Sequence, residues 1–307
     1  MTKNLEPRIK NQEPRIDEPV LGSGFSVGYP LGGSPFDEMA ADYDRTFTNS
    51  LIGTLMRQAV WRRLDSCFKP GDRVLELNCG TGADAIYLGR HGVQVLATDV
   101  APAMLELARA KVARAGLEDL VEVQHLAIEE LIVNDEERRR KNSAEAPFVI
   151  RHSPFSIPFD GALSNFGGLN CVANLPVVAA GLAAHLRPGA RALLCVMGPL
   201  VPWEWAWYLR RGQMGKAFRR LRRGGVHWRG LTIRYPSVWA VRRAFAPAFR
   251  LRRVSAIGAL VPPSYTEGWA ARHPRLLARL NDWERRMETL PPLPWLADHY
   301  LMELERR

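Results

Sequence analysis

Val74 to Gly82 reads VLELNCGTG, an apolar strand running into Asn78, Cys79, Gly80, Thr81 and Gly82, with helix-forming residues behind it. Glycines at this spacing let backbone N–H groups approach a ligand where a Cβ would clash, and the following helix offers free donors at its first turn. Nineteen residues past Gly80, the phrase LATD ends a second apolar run on Asp99, an acid suited to bonding both hydroxyls of a ribose. Gly80-Thr81-Gly82-Ala83-Asp84-Ala85 also fits the dinucleotide fingerprint G-x-G-x-x-A, so an NAD-linked enzyme is one reading. Glu76 argues for another. It lies two residues before the loop in an otherwise apolar strand, where a carboxylate is costly without a partner. A pyrophosphate would repel it, whereas the ammonium of a methionine moiety would pair with it.

VLELNCGTG together with LATD resembles the first motif and the following acidic motif of the class I S-adenosylmethionine-dependent methyltransferases, over roughly Phe36 to Met197. The resemblance implies S-adenosylmethionine as cofactor. It implies that Glu76, Gly80 and Gly82, with Asn78 and Cys79 in the same loop, hold the methionine part. Asn78 stands where the family has its first glycine, and asparagine tolerates unusual backbone angles. Asp99 would bind the ribose, with Val100 and Met104 flanking the adenine; helix core is the other reading of Met104. In VEVQHLAIEEL the family's acid beside the adenine amino group is replaced by Ala127, followed by Ile128, so backbone contacts would serve there. Glu129 is expected to be a solvated helix residue. In FDGALSNFGGLN, Asn165 and Phe166 would sit where cofactor and acceptor meet, with capping of the next helix as the alternative for Asn165. In ADYDR, Tyr43 would cover the cofactor, or pack against the sheet edge.

Methyl transfer from a sulfonium is an in-line displacement for which a protein supplies alignment and a dry pocket. An acidic nucleophile such as a phenol also needs a base. His152, His227 and His299 are candidates, with Tyr265 as a hydrogen-bond donor, but no motif supports any of them and no catalytic residue is assigned. The tetrapeptide Asp/Asn-Pro-Pro-Tyr/Phe, associated with exocyclic amines of bases, is absent, as is a Pro-Cys pair.

The elements that must position these residues alternate. Strands are predicted at Arg73–Leu77, Val93–Thr98, Leu120–His125, Phe159–Ser164, Ala190–Met197, Arg250–Ile257 and His299–Glu305. Helices are predicted at Ala83–Arg90, Ala101–Ala115, Leu169–Leu186 and Pro274–Leu290, preceded by a short helix at Pro35–Arg45 and a longer one at Ser50–Phe68 with a stripe of Leu51, Leu55, Ala59 and Leu64. Such βα alternation implies an α/β, doubly wound, mostly parallel seven-stranded sheet with right-handed crossovers. Residues 1–33 read as a disordered tail and 34–307 as the methyltransferase domain. Insertions are expected at about 134–156 and, mostly helical, at 199–245, between the fifth and sixth strands.

With 307 residues, 47% hydrophobic and 24% charged, the chain can bury a sizeable core. No apolar run spans a bilayer, no secretory signal is seen, and the four cysteines form neither a CxxC pair nor a Cys/His metal cluster, so a cytoplasmic setting without metal is expected. The net charge of +10 is concentrated in residues 200–253, with fourteen Arg or Lys against Glu204 alone, among five of the nine tryptophans. That stretch suggests a lid over a small-molecule acceptor, acidic or lipid-like, or a peripheral membrane contact through 203–223. A nucleic-acid contact, or a basic binding protein that keeps the fold without catalysis, is the alternative.

Overall fold

The computed structural model describes residues 34–132 and 158–307. The expected tail at 1–33, the expected insertion at 134–156 and His152 lie outside them.

Five parallel strands, β1 (Arg73–Leu77), β2 (Gln94–Asp99), β3 (Val121–His125), β4 (Phe159–Ser164) and β5 (Leu186–Met197), form one side of the main sheet. A hairpin of β6 (Val226–Trp228) and β7 (Leu231–Ile233) stands apart. The sheet is completed by β8 (Phe249–Ile257) and β9 (His299–Arg306), in the order β3-β2-β1-β4-β5-β9-β8, with β9 antiparallel to both neighbours. Seven strands with this alternation were expected. β5 begins four residues earlier than expected, and the region between β5 and β8 holds a hairpin besides helices.

Helices cover both faces. They are α1 (Asp37–Tyr43), continued by a wider turn through Thr48, α2 (Leu51–Cys67), α3 (Ala83–Arg90), α4 (Pro102–Ala115), α5 (Leu175–His185), α6 (Pro202–Leu209), α7 (Val238–Phe245), α8 (Glu267–Arg272) and α9 (Pro274–Met287). Being covered on both faces, the central strands β1, β2 and β4 bury almost every side chain, which is why β1 reads as a near-continuous apolar run. One core layer joins α2, α3 and the sheet through Ile52, Val60, Leu64, Val74 and Leu193; the other joins α5 and α7 through Leu75, Leu182, Val241 and Phe245.

Local chemistry explains two differences from expectation. The helix expected from Leu169 is interrupted: Gly168–Cys171 makes a tight 3-10 turn, and α5 starts afresh where the Asn174 side chain accepts the Val177 N–H. On α2 the buried face is Ile52, Met56, Ala59, Val60 and Leu64; of the expected stripe Ala59 and Leu64 are buried and Leu55 half-buried, while Leu51 heads the helix and points outward.

Candidate functional site

β1 and β4 are neighbours whose following helices pass to opposite faces, so a crevice opens at their carboxyl ends, where open α/β sheets bind ligands. A cavity of about 180 Å³ lies there. Of the residues singled out in the sequence, Tyr43, Asn78, Gly80, Asp99, Val100, Met104, Ile128, Asn165 and Phe166 line it.

The floor is built by hydrogen bonds between loops. The Gly80 N–H donates to Asp99 Oδ2 at 2.8 Å and the Ala101 N–H to Oδ1 at 2.9 Å. Burial raises the Asp99 carboxyl above the usual carboxylate range, against these backbone donors. Each oxygen keeps a further lone pair for a ligand hydroxyl. Asn78 adopts φ 51°, the left-handed conformation in which asparagine replaces glycine at little cost. Its side chain ties the β1 loop to the β4 loop, donating to the Asn165 carbonyl at 2.5 Å and accepting from Ser164 Oγ at 2.6 Å. A Cβ on Gly168 would overlap the Asn78 side chain, at 2.1 Å from its Cγ.

Glu76 lies beneath the loop, 1% exposed, with Oε2 lacking any hydrogen-bond partner. Burial, reinforced by nearby Asp84, pushes its carboxyl well above the ordinary range. An orphaned buried acid beside a glycine loop is what a ligand ammonium would complete.

Four predicted residues do not line the cavity: Glu76, buried beneath the loop, and Cys79, Gly82 and Ala127. Cys79 turns into the core, where burial pushes its thiol well up and keeps it protonated. Gly82, at φ 75°, is required by packing instead: a Cβ there would approach Ala108 Cβ to 3.0 Å on α4. Ala127 is buried, its N–H capped by Glu130 Oε2. Glu129, expected in solvent, lines the cavity, because the tight 3-10 turn at Ile128–Ile132 swings it inward.

Sequence reasoning missed Arg57 and Asp84. They form a buried ion pair at 2.6 Å, and Asp84 also accepts from Trp61 Nε1 at 2.6 Å and Asn165 Nδ2 at 2.8 Å. Asn165 therefore orients within the site and does not cap a helix; its Oδ1 accepts the Phe166 N–H. Arg57 also lies 5.0 Å over the Phe166 ring. The available signal was a cation at helical spacing within the buried run Gly53, Val60 and Leu64.

The roof comes from two segments far apart in sequence. Phe36, Met39 and Tyr43 on and before α1 meet Ile233 of the hairpin across the cavity. Trp228 packs on Phe36 at 5.5 Å, and Arg229 pairs with Glu38. The turn after α1 is fastened to the glycine loop, as Asp44 accepts from Thr81 Oγ1 at 2.6 Å and Lys111 Nζ at 2.8 Å. Burial pushes the Tyr43 phenol up to about 12.

Neither described histidine candidate lines the cavity. His227 is exposed on the hairpin beside Thr232. His299 stands behind the wall, edge-on to Phe166 at 5.5 Å and next to Asp298. Tyr265 packs on Tyr208 at 5.5 Å. In the basic segment, Arg220 is buried and Arg219 half-buried: Arg220 binds Glu204 Oε2 at 2.8 Å and Asp298 Oδ1 at 2.6 Å, while Arg219 binds Glu204 Oε1. Burial raises the Asp298 carboxyl, but Arg220 and His299 outweigh that and hold it well below its usual value.

Residues 74–150 match the family model described as a methyltransferase domain. The demethylmenaquinone methyltransferase of Clavibacter sepedonicus is 30% identical over 170 residues, 54% of this chain and 58% of that protein. The 2-phytyl-1,4-naphtoquinone methyltransferase of Synechococcus elongatus is 30% identical over 169 residues, 53% of this chain and 61% of that protein. The chain thus spans about three fifths of the length of these relatives. A protein from Galdieria sulphuraria, provisionally named as a sarcosine dimethylglycine methyltransferase, shares the fold with a TM-score of 0.52 at 14% identity, over 88% of this chain and 98% of that one. The match begins on the strand that feeds the glycine loop, so residues 74–150 carry a methyltransferase domain, and the sheet order is that of the class I methyltransferase fold.

Proposed function

We propose that this chain methylates an uncharged, lipid-like small molecule, with a substituted quinol ring as the leading candidate. The observation that carries the reading is the wall opposite the glycine loop. Phe36, Met39, Phe166, Val172, Met197 and Ile233 make it apolar, and no Lys, Arg or His lines the cavity among the described residues. An acidic acceptor would bury its charge there unpaired. The names of the curated relatives, which act on naphthoquinones, agree with this choice.

When bound, S-adenosylmethionine supplies a methyl group activated by a positive sulfur that departs as a neutral thioether. Glu76, beneath the glycine loop, would hold the ammonium of the cofactor, and that contact would favour its ionised form. The Arg57–Asp84 pair fixes Asn165, and through it Phe166, at the border between cofactor and acceptor. Asp99 would accept the ribose hydroxyls, Val100, Met104 and Ile128 would hold the adenine, and Glu129 would accept from its amino group. Tyr43 and the hairpin exclude water, so the acceptor nucleophile meets the methyl group in a dry site. The same carboxylate at Glu76 would repel the pyrophosphate of NAD.

The test is methyl transfer from labelled S-adenosylmethionine to a demethylmenaquinol, a free fatty acid and a transfer RNA, assayed separately. Label in the quinol alone supports the reading. Label in the fatty acid alone would reverse the charge argument, and label in RNA alone would move the basic segment to the centre of the function.

A further inference from the structure

Helix α9 turns one side toward the molecule and carries an apolar ridge beside it. Leu277 and Glu284 point inward, where Glu284 accepts the N–H groups of Gly258, Leu260 and Val261 at 2.6–2.8 Å. That ridge, Leu276, Leu280, Trp283 and Met287, follows at i, i+4, i+7 and i+11 and continues to Leu290 beyond the helix. Leu276 is 42% exposed, Trp283 52% and Leu290 53%. Four residues at that spacing lie on one ridge of a helix.

Exposed arginines border the ridge on the side away from the sheet. Arg272, Arg275, Arg279 and Arg286 have no acidic partner within 4.0 Å among the described residues, and Asp282 is the one exposed acid on the helix. Long cationic stems beside an apolar ridge can reach headgroups while the ridge enters the acyl boundary. The chain's net charge of +10 adds a long-range attraction of the same sign. In a second copy of this chain, four arginines would be brought toward four more. Against RNA, the ridge is largely aliphatic, with one aromatic ring for bases to stack on.

We propose that α9 docks the protein on an anionic membrane surface, with Leu276, Leu280, Trp283 and Met287 inserted at the interface and the arginines at the phosphates. Among the described residues no helix is long and apolar enough to cross a bilayer, so the contact is peripheral. A second exposed stretch of mixed apolar and basic residues, Met214, Phe218, Leu221, Arg222 and Arg223, follows α6, which packs on the segment leading into α9 through Trp203 and Trp269 at 5.8 Å. The proposal does not depend on which acceptor is methylated.

Vesicles of phosphatidylcholine, alone or mixed with phosphatidylglycerol, test it by co-sedimentation of the full chain. Binding to the mixed vesicles that falls with salt is expected, with none to the neutral ones. Leu276→Glu combined with Trp283→Glu should abolish it while the circular dichroism spectrum stays unchanged, since both side chains are exposed. Arg275→Gln and Arg279→Gln should each weaken it about fivefold. Absence of binding to mixed vesicles at low salt overturns the proposal. So does binding that survives Leu276→Glu with Trp283→Glu, a dimer dispersed by that variant without vesicle binding, or RNA binding in its place.

Discussion

Asp99 accepts two loop N–H groups and faces the cavity, so its removal would loosen the loop and, on the proposed reading, cost the ribose bonds as well. Asp99→Ala should weaken S-adenosylmethionine binding by about 1.5–3 kcal/mol in calorimetry, the range for hydrogen bonds to a charged group. Glu76 leads to a prediction with two signs. Its carboxyl is raised in the folded chain, so the stability it contributes is full below the ordinary carboxylate range and is lost as pH rises through the raised value. Glu76→Gln cannot ionise. The variant should therefore melt higher than the parent at neutral pH, with an advantage that disappears in acid, and yet bind the cofactor more weakly. A variant that loses both stability and affinity would show that Glu76 already has a partner in the unliganded protein. These two residues were legible in the sequence because their meaning is local: an acid in an apolar strand and an acid at a strand end. Arg57, Asp84 and Glu129 were not, because each acquires its role from a partner or a turn elsewhere. Asp84 is 27 residues from Arg57 and 81 from Asn165.

Among the elements, the strands and helices that alternate around the glycine loop were readable from apolar runs and turns, since a doubly covered parallel sheet leaves long apolar runs. The hairpin Val226–Ile233 was hidden in a basic stretch whose side chains suggest helix or surface, and only its seat against Phe36 defines it. The segment that looked like a uniform cationic face divides in two. Arg220 links Glu204 of α6 to Asp298 at the head of β9, and three buried charges depend on one another. Arg220→Ala leaves buried Glu204 with Arg219 alone and buried Asp298 with His299 alone, and should cost about 3–5 kcal/mol in denaturant unfolding. Asp298, held low by Arg220, contributes stability above its ordinary value that is lost as pH falls toward its depressed one. The parent should consequently lose more stability on acidification than the Arg220→Ala variant does. Arg222→Ala, at an exposed site on the same stretch, should change stability by no more than about 0.5 kcal/mol.

At the scale of the molecule, the cavity joins the β1, β2 and β4 strand ends with α1 and the hairpin, so a cofactor bound there as proposed should stabilise all of them. A hundredfold excess of S-adenosylmethionine over its Kd should add about 2.7 kcal/mol, read as a rise in Tm, while NADH should add none. A rise with NADH alone would reverse the role given to Glu76. An apolar acceptor and a membrane-facing helix would also reinforce each other, because a lipid-like molecule partitions into the surface on which the protein rests.

The placement of β9 between β5 and β8 has a consequence for how the protein is made. Residues 192–196 of β5 are completely buried in the finished sheet, and β5 takes β9 as its partner on that edge. That partner is synthesised roughly 100 residues later, which at ordinary elongation speeds is about 5–20 s. Throughout that interval the nascent chain presents an apolar strand with open backbone donors and acceptors, the surface that recruits chaperones or other nascent chains. Slow codons between 198 and 298 should therefore lower the soluble yield, and faster ones raise it, without any change in the protein sequence.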